Sequence, residues 1–134
     1  MQTPAVGREV TGVVGAAREL HELGRVVVIG DPEGLDFDPV DCLLKPGATM
    51  GACTTTWPAR ALRGYNRVKQ GVTRLGIGFL ATRGFVSYQR EYPAVIGHTI
   101  VWLDGNHMTY LYSAHVAGAF RAAYLHATAR HPHR

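Results

Sequence analysis

Apolar positions fall at helical spacing at both ends of the chain and at strand-like spacing between. Val10, Val13, Val14, Ala17 and Leu20 share one face at 3.6 residues per turn. They predict a helix from about Arg8 to Leu23, stopped by Gly24. Arg25 to Ile29 is β-branched and apolar, the composition of a buried strand. Gly30 to Asp41 carries two prolines, two glycines and five acids, and reads as a loop. Val40 to Leu44 is expected as a short strand, and Lys45 to Thr56 as irregular.

Pro58 suits a first helical turn, with Thr56 or Trp57 as N-cap and Gly64 interrupting after Arg63. A second helical piece is expected over Val72 to Arg83, ended by Gly84. Phe85 to Gln89, Val95 to Leu103 and Met108 to Tyr112 read as strands. Asp104-Gly105-Asn106 joins the last two as a hairpin turn, because Asp, Gly and Asn accept positive φ. Ser113 is expected to cap a final helix lined by Val116, Ala119, Phe120, Ala123 and Ala127. The tail His131 to Arg134 is expected to fray. The pattern predicts one α+β domain over residues 1–134: a small antiparallel sheet with an N-terminal and a C-terminal helix packed on it.

Composition narrows the class. Apolar residues make up 46% and charged residues 18%, which excludes disorder. The longest apolar runs, Val26 to Ile29 among them, are four residues, far below the ~20 residues a bilayer crossing needs, so no membrane partner is expected. The N-terminus lacks the pattern of a secretory signal. The expected location is the cytoplasm, or the interior of a phage or viral particle. Cys42 and Cys53 are too few for a disulfide scaffold, and two reduced thiols are expected.

Charge is segregated. The first 41 residues hold eight acids and three bases, whereas residues 42–90 hold eight bases and no acid. Arg60, Arg63 and Arg67 share a helix face, with Lys69 and Arg74 following. Trp57, Tyr65 and Phe85 lie nearby in sequence. Arginines with aromatics are what phosphate contact and base stacking require, so nucleic acid or another polyanion is one expected partner. Alternatively, the basic stretch faces the acidic segment of its own chain or of a sister copy, which suits a homo-oligomer built as a structural subunit.

A third reading is chemical. Cys53 sits in Gly51-Ala52-Cys53-Thr54, and His98 follows Gly97 at a strand start. The first block resembles the nucleophile turn of papain-like amidases and peptidases of the CHAP and NlpC type. Gly97-His98-Thr99-Ile100-Val101-Trp102-Leu103-Asp104-Gly105 resembles their histidine strand and hairpin. The resemblance implies a thiol hydrolase acting on a peptide or other amide bond. Cys53 would be the nucleophile, its backbone N–H part of an oxyanion site, and His98 the base. His115 and Tyr112 are the nearest polar candidates for the third catalytic position. The plain alternatives are a buried Cys53 thiol and a hydrogen-bonded His98 at a strand end, with Cys42 a core thiol. Gly76-Ile77-Gly78-Phe79-Leu80-Ala81 fits G-x-G-x-x-A but lacks the preceding buried strand and the later acid of a dinucleotide site. No cofactor and no metal site are expected.

Overall fold

A computed structural model describes residues 4–31 and 34–129. The chain forms α1 (Pro4–Leu23), β1 (Val27–Ile29), α2 (Pro39–Leu43), β2 (Thr55–Thr56), α3 (Ala59–Arg74), β3 (Gly78–Leu80), α4 (Arg83–Val86), β4 (Glu91–Tyr92), β5 (Val95–Ile96), β6 (Thr99–Ile100) and α5 (Tyr110–Ala129). The α+β class and the two terminal helices agree with expectation. The sheet does not. Three separate strand pairs replace one antiparallel sheet: β1 with β3 in parallel, β2 with β4 and β5 with β6 antiparallel.

The parallel pair accounts for the largest departure. Residues 78–80 form a strand where a helix is expected. Their partner, Val27 to Ile29, lies about 50 residues earlier, with Val27 opposite Gly78 and Ile29 opposite Leu80. Gly76, at φ 75°, ends α3 in the left-handed region that glycine tolerates. The chain then turns straight into β3. Gly64 does not interrupt α3, which runs unbroken through it. Its roughly 1 kcal/mol propensity cost is offset by packing.

Two apolar clusters hold the elements together. In the first, Ala17, Val72 and Ile77 are buried among Val14, Val26, Val28 and Phe79. Here α1 packs on α3, and Gly71 lets the two helices approach: a Cβ there would sit 2.6 Å from Cγ2 of Val14. In the second, Val86, Tyr92, Val101, Trp102 and Tyr112 are buried among Leu35, Trp57, Phe85, Ile96 and Val116. Tyr92 and Trp102 meet edge-on at 5.9 Å, the arrangement ring quadrupoles favour. The Tyr112 hydroxyl donates to the Phe85 carbonyl and ties α5 to the end of α4; burial raises its pKa above the usual tyrosine value.

Local chemistry corrects four further expectations. Residues 39–43 form α2 and not a strand, because Asp38 accepts the N–H groups of Val40 and Asp41 while Pro39 starts the helix. Residues 83–86 are helical where a strand is expected at 85. Asp104-Gly105-Asn106 does form a turn, with the Asp104 carboxylate accepting from Asn106 N–H at 2.9 Å and His107 N–H at 2.8 Å. It joins only a single bridge, Trp102 to Met108, because α5 already starts at Tyr110. Thr109, not Ser113, caps α5: its hydroxyl accepts from Tyr112 N–H at 3.2 Å. The tail 131–134 lies outside the described residues.

Candidate functional site

The expected thiol chemistry fails at its first residue. Cys42 on α2 and Cys53 in the turn before β2 form a disulfide, with Cα atoms 5.7 Å apart. No free cysteine remains. A disulfide sulfur has no proton to give up and no thiolate to attack with. Cys53 is fully buried, and its N–H donates to the carbonyls of Thr49 and Met50, so it offers no oxyanion donor. Nor does it start a helix: Pro58 and the first turn of α3 come after β2. His98 is exposed in the two-residue turn between β5 and β6, next to Gly97 at φ 60°. His115 is exposed on α5, its ring 6.1 Å from that of Tyr112. The cysteine–histidine hydrolase reading is therefore withdrawn. Among the described residues no three His, Cys, Asp or Glu side chains converge as metal ligands.

The basic residues are better placed. All of Arg60, Arg63, Arg67, Lys69 and Arg74 lie on α3 and are exposed. At 3.6 residues per turn, the four arginines fall within a ~60° arc and Lys69 lies on the opposite face of the helix. At 1.5 Å rise per residue the arginine line is ~21 Å long. None of the five forms an ion pair with a described residue. α1, which carries Glu9, Glu19 and Glu22, packs against α3 through apolar side chains and leaves the arginine line open to solvent.

The aromatics expected to stack on bases are committed elsewhere. Trp57 and Tyr65 both face the guanidinium of Arg83, whose central carbon lies 4.7 Å and 3.9 Å from the two ring centroids. Phe85 packs toward Phe120, with ring centroids 6.2 Å apart. Arg83 itself is only 7% exposed, so one of the eight central bases contributes nothing to the basic surface. Sequence reading missed this residue. Nothing in the sequence marks it; in the fold, the Thr82 hydroxyl just before it donates to the Gly30 carbonyl and holds the start of α4 beside β1.

A crevice of about 570 Å³ opens at one end of the arginine line. Val10, Val13, Val28, Val68 and Phe79 give it apolar walls, and Glu9, Asp31, Asp36 and Arg60 supply charge. Gly30 lies at its base against two aromatic rings: a Cβ there would fall 2.5 Å from Phe79 and 2.6 Å from Tyr65. Three carboxylates share this crevice with Arg60. Part of the acidic segment thus neighbours the basic helix, as one expectation had it, but without direct pairing among the described residues.

No family model, no curated protein and no solved structure matches the chain.

Proposed function

We propose that this is a non-enzymatic protein that binds a polyanion along the exposed arginine line of α3. One observation carries the reading: Arg60, Arg63, Arg67 and Arg74 are aligned, exposed and without an ion-pair partner among the described residues. Four guanidiniums held ~21 Å along a rigid helix match an extended row of phosphates or sulfates. Each contact releases a condensed counterion, so affinity falls steeply with salt. With Trp57, Tyr65 and Phe85 engaged elsewhere, recognition rests on charge and not on base stacking.

The disulfide bears on where this happens. Persistent disulfides belong to oxidising settings. The proposed location is therefore such a setting, in place of the cytosol. No helix among the described residues is long and apolar enough to cross a membrane.

Retention on heparin and on double-stranded DNA, eluted with a salt gradient, tests the reading. Wild-type protein should be retained on at least one matrix, and Arg60, Arg63 and Arg67 replaced together by Ala should elute far earlier. In solution, the slope of log K against log salt should flatten by roughly one for each arginine lost. Arg67 and Arg74 should each matter more than Arg60, whose charge is offset by Glu9, Asp31 and Asp36. Retention on heparin alone would point to a sulfated glycan, and retention on both to a non-selective phosphate or sulfate binder. Unchanged elution of the triple variant would overturn the proposal.

A further inference from the structure

The remaining feature with no assigned role is the outer face of α5. Arg121 is the one side chain of this 20-residue helix that is charged irrespective of histidine protonation. A helix so apolar all round belongs in an interior, yet α5 packs on the body along one side, chiefly against β3, β6 and α4. Tyr112, Val116, Phe120, Ala123 and Ala127 form its inner side. On the opposite side Leu111, Ala114, Gly118, Ala122 and Leu125 are all exposed, with Leu111 at 71% and Leu125 at 52%. A Cβ placed on Gly118 would meet nothing within 4 Å.

These five residues are arranged symmetrically. Alanines stand four residues before and after Gly118, and leucines seven residues before and after it. At 3.6 residues per turn, all five lie within ~40° of Gly118. A second α5 running antiparallel and crossing at Gly118 would set Leu111 over the partner's Leu125 and Ala114 over the partner's Ala122. The smallest residue sits where two crossing helices come closest, and the largest sit where they diverge. Antiparallel packing also opposes the two helix dipoles, which parallel packing would align.

From this register we infer that the outer face of α5 is the interface of a two-fold symmetric homodimer, built as an antiparallel helix pair centred on Gly118. Self-complementarity selects a second copy over an unrelated partner: a two-fold contact must present one patch that fits itself. The area agrees with a weak dimer. A strip ~30 Å long and one helix diameter wide removes on the order of 500 Å² from each copy, near the lower limit for a specific interface. An interface at that lower limit suits weak, micromolar-range association.

Sedimentation velocity from about 1 µM to about 200 µM tests the proposal, since that range spans micromolar association. Wild-type protein should shift from monomer toward dimer, while Gly118→Arg should stay monomeric with helicity and melting equal to or above wild type. Ala122→Glu, on the same face, serves if Gly118→Arg fails to fold. Direction is read by cross-linking. Because both native cysteines are paired, Leu111→Cys and Leu125→Cys each introduce a single free thiol. Mixed, the two variants should form a disulfide-linked dimer under mild oxidation, and each alone should do so far less. A monomer throughout the range, a dimer indifferent to both Gly118→Arg and Ala122→Glu, or efficient linking of Leu111→Cys to itself would each overturn the proposal. None of these outcomes depends on polyanion binding by α3.

Discussion

The guanidinium of Arg83 lies over the ring of Tyr65, 3.9 Å from its centroid, and Trp57 faces it from 4.7 Å. A cation taken out of water in this way needs compensation, and aromatic faces supply up to about 2 kcal/mol each when desolvated. The planar guanidinium can stack on such faces, whereas a lysine ammonium is a compact point charge. Arg83→Ala should therefore lower stability by at least about 2 kcal/mol, and Arg83→Lys should recover only part of that loss. Urea unfolding followed by tryptophan fluorescence would measure both. A lysine variant as stable as wild type would show that charge alone is what the site requires.

Tyr65 carries a second consequence. Its hydroxyl oxygen is buried with no hydrogen-bond partner among the described residues. An unpaired buried hydroxyl costs about 1–3 kcal/mol. Tyr65→Phe keeps the ring under Arg83 and its edge-on contact with Phe79, and removes only the stranded group. The variant should melt at the same temperature as wild type or a few degrees higher. A clear drop would reveal a partner for that hydroxyl.

The disulfide closes a short loop, with Cys42 and Cys53 at a sequence separation of 11. On loop-closure entropy alone it should contribute about 3 kcal/mol. Native protein should show no thiol to a chromogenic disulfide reagent, before or after denaturation, and about two thiols once reduced. Reduction should lower the urea midpoint without abolishing folding, since Cys53 belongs to neither main apolar cluster. Thiols titratable in the oxidised, unfolded protein would contradict the pairing.

Asp104 gives a pH signature. Its carboxyl is held at about 2, against an ordinary 3.8, chiefly because the backbone N–H of Asn106 donates to it, with the His107 ring and N–H adding to the effect. A depressed carboxyl pKa stabilises the fold above the unfolded value, and that stabilisation is lost as pH falls from about 4 through 2. Carbon-detected NMR should place the Asp104 midpoint near 2. The stability difference between wild type and Asp104→Asn should shrink over the same acid range. An ordinary midpoint would mean that the turn opens in solution.

The outline of the fold could be read where local physics decided it. Helical spacing in α1 and at Val116, Phe120, Ala123 and Ala127 marked the two terminal helices, because amphipathic packing imposes that spacing directly. Asp38-Pro39 held a legible helix start that the density of acids around it obscured. The middle was not legible. β3 depends on pairing with β1 across a long stretch of chain, and nothing within Gly78-Phe79-Leu80 announces a parallel neighbour. At the candidate site, the shared face of Arg60, Arg63 and Arg67 followed from spacing, but its extension to Arg74 did not, because Gly64 reads as a helix break and α3 runs through it. The disulfide was not legible, because two cysteines carry no mark of proximity, and neither was the burial of Arg83, which counts in sequence like any surface base.

The loop held by Cys42 and Cys53 is exposed at residues 44–47 and 49–52. A protease that nicks the backbone there would not separate the halves of the molecule. The upstream portion, with α1 and its acids, would stay covalently joined to the portion bearing the arginine line. Such damage would leave the apparent size on a non-reducing gel unchanged, and only reduction would release two fragments.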